Sequence, residues 1–235
     1  MASSSPWPKT IIHPFRGIPA ETGRDTDFYG PYNKLLYHLF PADTNFIVFP
    51  GSYPPRHSSI ANTPAGVEFT VLYNNSPVLL LQLSAPDLLR WPSARADVDT
   101  AARRRLRDLA PLCPLPKLYA VTAFGTKLRF YAATTGEGDV VDIDPPLMDR
   151  PRPAPGHGGL PPTPISPRSP TVPSVRISTV SNDSNASNFS VRSSDAVTIP
   201  LGRWNSDVLE DEGANLLKQA VAEIIARIYL ADDYD

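Results

Sequence analysis

The sequence predicts an α/β protein in which a mixed sheet is flanked by helices. Three observations predict this class: short apolar runs typical of strands, two stretches with apolar residues at helical spacing, and a last amphipathic stretch beyond a proline-rich segment. Of the 235 residues, 41% are hydrophobic and 20% are charged, which is enough apolar material for a buried core. The predicted order is helix, three strands, helix, two strands, insertion and helix.

The first helix and three strands are predicted within residues 27–84. Residues 27–40 place apolar side chains on one helical face. The apolar run 46–49 ends in a Pro-Gly pair and predicts a short strand, and residues 67–73 and 77–84 predict two more. The nearly continuous apolar character of residues 77–84 is typical of a central strand that is covered on both faces.

A second helix is predicted over residues 97–109. Its apolar residues share one face, and the pattern places four arginines largely on the opposite face: Arg103, Arg104, Arg105 and Arg107. After it, residues 117–124 and 127–133 predict two strands that are joined by a tight turn at Gly125-Thr126. The last helix is predicted to open at Asp207, which has the residue pattern of a helix cap.

The long segment before the last helix is rich in proline and serine. Eleven of the 28 prolines lie between residues 145 and 173. Because proline fixes φ and lacks an N–H donor, this composition predicts a disordered insertion at residues 149–200. We expect residues 1–148 to form the core of the domain and residues 201–235 to supply a C-terminal helix that docks back on it. Pairs that suit proline-directed kinases make the insertion a candidate contact for a kinase or another protein partner: Thr163-Pro164, Ser166-Pro167 and Ser169-Pro170.

Composition and motifs exclude several functional classes. The net charge of −2 gives no overall basic field that would favour nucleic acid. The single cysteine, Cys113, excludes an intramolecular disulfide and a zinc site built from several thiolates, and its apolar neighbours predict a buried thiol rather than a nucleophile. The sequence has no phosphate-binding loop, dinucleotide fingerprint or serine-nucleophile elbow. No run approaches the roughly 20 apolar residues of a membrane span, so we expect no membrane contact and an intracellular location, in the cytoplasm or nucleus.

Three polar residues interrupt two otherwise apolar strands. Glu68 lies on the first of these strands, and Gln82 and Ser84 lie on the second. Because side chains alternate along a strand, Gln82 and Ser84 share one face, and a hairpin can bring Glu68 to the same face. Buried polar groups are costly unless they have partners, so this trio predicts a functional site.

Several blocks around this trio resemble the PD-(D/E)XK nuclease-like fold, and more narrowly the expanded nuclease-like proteins of mushroom-forming (basidiomycete) fungi. The resemblance covers most of the chain outside the insertion, and the blocks that carry it are residues 66–71, 77–86, 95–97, 115–119, 123–131 and 203–209. It implies the fold class of that family, a mixed sheet flanked by helices.

The resemblance also implies a metal site. In that family an acid on one strand and an acid-x-Lys pair on the next bind Mg²⁺ and activate the attacking water. Glu68 corresponds to the first acid, Gln82 to the second and Ser84 to the lysine, so these are the candidate catalytic positions, with Glu68 and Gln82 as the metal ligands. Two of the three depart from the pattern, because Gln82 is uncharged and Ser84 brings no cation. We therefore expect no cofactor, or Mg²⁺ if activity remains.

The resulting prediction is a catalytically degenerate nuclease-like module that acts in nucleic-acid binding or protein interaction. Arg95, Arg103, Arg104 and Arg107 are the candidate contacts to DNA or RNA, because guanidinium groups neutralise phosphates. The alternative for these arginines is a solvated helix face that pairs with neighbouring aspartates. Two other functions stay open: an active Mg²⁺-dependent endonuclease with a rearranged site, and a purely structural protein-interaction domain.

Overall fold

A seven-stranded mixed sheet, with helices on both faces, forms the protein in a computed structural model that describes residues 5–19, 21–53, 67–135, 141–146 and 201–232. The predicted α/β class with a mixed sheet flanked by helices is therefore confirmed. Residues 1–148 and 196–235 belong to one compact unit. The predicted insertion at 149–200, with its candidate kinase motifs, lies outside the described residues. In the described part of the chain, no helix combines the length and apolar character that crossing a bilayer would need.

The helices and strands have the following bounds. The helices are α1 (Lys9–Arg16), α2 (Tyr29–Leu39), α3 (Pro92–Leu109) and α4 (Asp211–Asp232). The strands are β1 (Phe46–Pro50), β2 (Glu68–Tyr73), β3 (Ser76–Ser84), β4 (Lys117–Phe124), β5 (Lys127–Thr134), β6 (Ile143–Asp144) and β7 (Ser206–Asp207).

The strand order is β1-β2-β3-β4-β5-β6, and β7 pairs with β5. β3 and β4 are parallel, whereas all the other described pairs are antiparallel. Parallel neighbours need a long crossover, which α3 provides between β3 and β4. β3 lies in the middle of the sheet, and Leu79, Leu80 and Leu81 are buried, so the prediction of a central strand covered on both faces is confirmed.

The turns that join the strands depend on residues that tolerate a left-handed backbone. Asn74 and Asn75 have φ angles of 47° and 65°, and together they form the two-residue turn between β2 and β3. Asparagine is one of the few residues with a side chain that adopts this conformation readily. Gly125, with φ of 61°, serves the same purpose between β4 and β5. A Cβ atom there would lie 3.0 Å from Pro86 Cβ, so glycine also allows a close approach.

The two faces of the sheet have different cores. On one face, a large apolar cluster contains Phe15 from α1, Leu35 from α2 and Ile224 from α4, together with strand residues such as Leu81. On the other face, α3 provides the helical cover, and its apolar side chains pack with residues of β3, β4 and β5: Ala102, Leu106 and Leu109 with Leu80, Leu118, Ala120 and Tyr131. The face covered by α3 also carries the polar residues of the candidate site.

Two helix boundaries differ from the prediction. α3 begins at Pro92, five residues before the predicted start, because proline at the first position of a helix loses no hydrogen bond. The prediction that the last helix opens at Asp207 is wrong, since Ser206–Asp207 is a strand that pairs with β5. Asp207 Oδ1 accepts a hydrogen bond from the backbone N–H of Leu209 at 2.9 Å, so its carboxylate holds the turn before α4.

Candidate functional site

Four polar side chains form a row across the sheet on the face that α3 covers. The register pairs Glu68 on β2 with Gln82 on β3, Gln82 with Thr122 on β4, and Thr122 with Arg129 on β5. Leu80, two residues before Gln82 and hence on the same face, packs against α3. We call Glu68, Gln82, Thr122 and Arg129 the polar row. It crosses four adjacent strands without interruption.

The carboxylate of Glu68 is held by two neighbours. Gln82 Nε2 donates to Glu68 Oε2 at 3.2 Å, and Arg105 Nε, from α3, donates to Glu68 Oε1 at 3.0 Å. Arg105 also donates through Nη2 to the carbonyl oxygen of Tyr53 at 2.5 Å. The side chains of Arg105 and Glu68 are only 4% and 10% exposed, so this ion pair is largely shielded from water. Both oxygens of the carboxylate are therefore already engaged.

Ser84 lies at the end of β3, two residues beyond Gln82 and on the same face. It is half-buried, and its register partner on β4 is Phe124. Within the described residues its hydroxyl group makes no hydrogen bond to Glu68 or Gln82. The structure thus places all three predicted catalytic positions on one face, but it joins only Glu68 and Gln82 by a contact.

A second charged cluster lies around Asp99 of α3, which is fully buried. Asp99 Oδ2 accepts a hydrogen bond from Arg103 Nε at 2.8 Å, and Asp99 Oδ1 accepts one from the hydroxyl of Tyr131 at 3.0 Å. Arg129 Nη1 lies 2.9 Å from Asp99 Oδ1. Burial and then the Asp99 carboxylate raise the pKa of Tyr131, so its hydroxyl stays protonated and acts as a donor. The carboxylate of Asp99 therefore contacts two guanidinium groups and the hydroxyl of a tyrosine.

Arg129, at the end of the polar row, is enclosed by aromatic rings. Its guanidinium carbon lies 4.9 Å from the ring centroids of both Tyr131 and Trp204. Trp204 is in turn held by a hydrogen bond from its Nε1 to Thr122 Oγ1 at 3.1 Å. Burial, more than any neighbouring charge, lowers the pKa of Arg129.

The four arginines predicted to contact nucleic acid fall into two groups. Arg95 is 6% exposed and donates through Nη1 to the carbonyl oxygen of Leu89 at 2.8 Å. Arg103 is 4% exposed, and beyond Asp99 it donates through Nη2 to the carbonyl oxygen of Pro145 at 2.5 Å. Arg104 and Arg107 are exposed on α3. Only the last two can meet a phosphate at the surface without rearrangement.

The expected arrangement of α3 needs correction. The helical pattern predicts that Arg103 and Arg105 lie opposite the apolar face, yet both are buried against the sheet. Their burial is physically reasonable because each guanidinium group meets a carboxylate, Asp99 for Arg103 and Glu68 for Arg105. The buried side of α3 is therefore broader than its apolar stripe and is partly charged.

The predicted Mg²⁺ ligands do not fit that ion. Mg²⁺ prefers an octahedral set of oxygen ligands that includes carboxylates. Here the single carboxylate, Glu68, receives hydrogen bonds from a guanidinium cation and from the amide nitrogen of Gln82. A second cation at this place would be repelled by Arg105. In the part of the chain that the structure describes, no group of three or more His, Cys, Asp or Glu residues could hold a metal.

Four residues of the site were not predicted from the sequence: Thr122, Arg129, Asp99 and Arg105. For Thr122 and Arg129 the sequence contained a usable pattern. The tight turn at Gly125-Thr126 sets the register of β4 and β5 and places Thr122 opposite Arg129. Thr122 also continues the alternation of inward-facing positions on β4, so the extension of the polar row could have been predicted. Asp99 and Arg105 gave no comparable signal, because charged residues on an amphipathic helix are usually exposed.

Cys113 contributes nothing to this site. It is half-buried next to the backbone of Lys117, with its Sγ 3.8 Å from that carbonyl oxygen. Burial raises its pKa to about 11, so very little thiolate forms at neutral pH. The residue is thus less buried than predicted, although its raised pKa disfavours a nucleophilic thiolate.

Comparisons with known proteins do not identify a relative. No protein-family model, curated protein or solved structure matches this chain.

Proposed function

We propose that this chain is a catalytically degenerate PD-(D/E)XK nuclease-like module that binds its partner without cutting phosphodiester bonds. The observation that carries the proposal is the buried ion pair between Arg105 and Glu68, at 3.0 Å. In the resembled family, the position of Glu68 helps to hold Mg²⁺. Here a side chain of the protein itself supplies the positive charge.

The placement of the motif positions supports the nuclease-like ancestry. Glu68 and Gln82 are direct register partners on adjacent strands, and Ser84 follows on the same face. This is the relation that an acid and an acid-x-Lys pair would need in order to share a metal. The substitution of an acid by Gln82 and of a lysine by Ser84 removes one negative and one positive group. Arg105 then compensates the negative charge that remains.

Loss of cutting follows from electrostatics. Phosphodiester cleavage requires cations that stabilise the charge developing on the phosphorus oxygens and a base or metal that activates water. The side chain of Arg105 is 4% exposed and donates hydrogen bonds to Glu68 and to the carbonyl oxygen of Tyr53, so it cannot reach a scissile phosphate. The function that remains for such a module is binding.

We expect the purified protein to show no nicking of supercoiled plasmid above background with either Mg²⁺ or Mn²⁺. We also expect EDTA to leave its melting temperature unchanged, because Arg105 replaces the metal. Glu68→Ala is the matched control. Metal-dependent nicking that disappears in this variant would contradict the proposal and would instead support the active endonuclease with a rearranged site.

Among partners, nucleic acid is favoured by the two exposed arginines of α3, Arg104 and Arg107. If these residues contact phosphates, changing both to glutamate makes the net charge four units more negative. This change should weaken binding to DNA or RNA by at least about tenfold at 0.1 M salt. Fluorescence anisotropy with a labelled oligonucleotide measures this. The matched control is a double variant that reverses the charge of two exposed residues on other helices, Arg16→Glu on α1 and Lys34→Glu on α2.

If the two double variants bind equally well, Arg104 and Arg107 are not the contact. If the protein does not bind nucleic acid at all, protein interaction is the function that remains.

A further inference from the structure

The three tryptophans of the chain differ in their surroundings. Trp7 and Trp204 are 4% and 2% exposed, and the Nε1 group of each donates a hydrogen bond inside the fold, to the carbonyl oxygen of Val208 and to Thr122 Oγ1 respectively. Trp91 is 52% exposed, and its Nε1 makes no hydrogen bond to the described residues. Exposed aromatic side chains suit binding surfaces, because they offer a large contact area at little cost in conformational entropy. Trp91 is therefore the tryptophan that is available to a partner.

The backbone holds Trp91 in a fixed position directly before α3. Its N–H donates to the carbonyl oxygen of Leu88 at 3.0 Å, and its carbonyl oxygen accepts a hydrogen bond from the N–H of Arg95 at 3.1 Å. The side chain of Arg95 donates through Nη1 to the carbonyl oxygen of Leu89 at 2.8 Å, and Leu89 packs against Phe124. Because these contacts fix the chain on both sides of the ring, binding to the indole needs little further ordering of the backbone.

The indole of Trp91 is accompanied by a cation. The guanidinium carbon of Arg90 lies over the ring, 5.2 Å from its centroid, and Arg90 is itself exposed. A cation–π contact of this kind favours one orientation of the ring and brings positive charge next to it. A nucleobase has a π face that stacks on an aromatic ring, and the phosphate beside that base is negative. Trp91 and Arg90 therefore offer stacking and a phosphate contact in one place.

The exposed side of α3 leads from Trp91 to the two arginines that are the proposed contacts to nucleic acid. Exposed residues of this helix recur at a spacing of three and four, which places them in one stripe: Ser93, Asp97, Thr100, Arg104 and Arg107. At a rise of about 1.5 Å per residue, Arg104 lies about 20 Å along the helix from Trp91. A strand with stacked bases advances about 3.4 Å per nucleotide, so about six nucleotides cover this distance.

Charge alone does not make this surface a strong site for phosphates. Arg90, Arg104 and Arg107 lie along it together with two exposed aspartates, Asp97 and Asp108, so the attraction for a polyanion is modest. Stacking of one base on an aromatic side chain is worth about fivefold to a hundredfold in affinity. Stacking must therefore supply a large part of the affinity, and it requires a base that is not already paired and stacked in a duplex.

We propose that Trp91, accompanied by Arg90, stacks on an unpaired base of a single-stranded nucleic acid whose phosphates reach Arg104 and Arg107 along α3. This inference rests on the proposed function, because it names the class of nucleic acid that the module binds. Single strands are preferred over duplexes, since the faces of a base inside a duplex are covered by its neighbours. The base sequence of the strand has little influence, because every base has a π face.

Titration of the whole chain with a single-stranded oligodeoxythymidylate of about twelve nucleotides tests this site. We expect saturable quenching of tryptophan fluorescence that comes from Trp91, because Trp7 and Trp204 are buried. The duplex of the same strand with oligodeoxyadenylate should bind at least about tenfold more weakly. Trp91→Leu should abolish the quenching and weaken binding of the labelled single strand about tenfold in fluorescence anisotropy, whereas Trp91→Phe, which keeps an aromatic ring, should lose less.

Tyr37→Leu is the matched control, since Tyr37 is an aromatic residue of α2 that is 45% exposed, and this variant should behave like the unmodified protein. Equal affinity for single strand and duplex, or unchanged binding by Trp91→Leu, would overturn the stacking site even where the double change of Arg104 and Arg107 to glutamate weakens binding. The module would then contact phosphates alone. Absence of binding to both oligonucleotides would overturn the stacking site and leave protein interaction as the function. Metal-dependent nicking, by contrast, would contradict only the proposed loss of cutting.

Discussion

Replacement of Asp99 by asparagine is expected to lower the free energy of unfolding by about 3–5 kcal/mol, because it leaves buried cations without their counter-charge. Asp99 is 0% exposed and is the carboxylate shared by Arg103, Arg129 and the hydroxyl of Tyr131. Asparagine has nearly the same size, so the change is electrostatic rather than steric. Urea denaturation followed by far-UV circular dichroism measures the loss.

Asp97→Asn is the control for this prediction, since Asp97 is an exposed aspartate on the same helix. Surface substitutions of this kind usually change stability by no more than about 0.5 kcal/mol. Equal effects of the two variants would mean that the Asp99 cluster does not stabilise the fold, and the account of α3 as a helix anchored by buried charges would be wrong.

Replacement of Arg105 by methionine is the second change with a large expected effect. It leaves the Glu68 carboxylate, whose side chain is 10% exposed, with Gln82 as its remaining hydrogen-bond donor. Removing one partner of a buried pair typically costs about 3–5 kcal/mol, because the other charge stays buried without compensation. Methionine retains most of the apolar stem, so packing changes little. The free energy of unfolding from urea titration is again the measurement.

A double variant separates the ion pair from other contributions of Arg105. When Glu68→Gln accompanies Arg105→Met, no uncompensated charge remains, and we expect recovery of more than half of the lost stability. Because each single change leaves one charge uncompensated and the double change leaves none, the coupling energy from this double-mutant cycle should exceed about 1.5 kcal/mol. If the two single changes simply add, the pair is not what holds Glu68, and the proposal that Arg105 replaces a metal loses its support.

The sheet could be predicted from the sequence because its determinants are local. Alternating or continuous apolar runs predicted β2 to β5 with bounds close to those observed, and the turn residues Asn74 and Gly125 marked the hairpins. The shared face of Glu68 and Gln82 also followed from local rules, namely alternation and a hairpin. Elements whose pairing depends on distant partners did not follow. The two-residue strand β7 exists only because it pairs with β5, about eighty residues earlier.

The charged side of α3 could not be predicted for a related reason. A helical pattern shows which residues share a face, but it does not show what that face meets. Arg103 and Arg105 are buried because Asp99 and Glu68 are present to receive them, and Glu68 lies 37 residues before Arg105 in the chain. The function of an arginine on a helix, whether exposed contact or internal cation, is thus decided by tertiary partners.

The way in which the two ends of the chain meet has a consequence for its synthesis. Trp7 Nε1 donates to the carbonyl oxygen of Val208 at 2.6 Å, and Lys218 Nζ donates to the carbonyl oxygen of Pro6 at 2.6 Å. Ile12 of α1 and Val221 of α4 belong to the same apolar cluster. On the ribosome, the apolar surface of α1 must wait until α4 has emerged from the exit tunnel before it can be covered. Folding of this face therefore follows the synthesis of α4, and the apolar surface of α1 is exposed to aggregation until then.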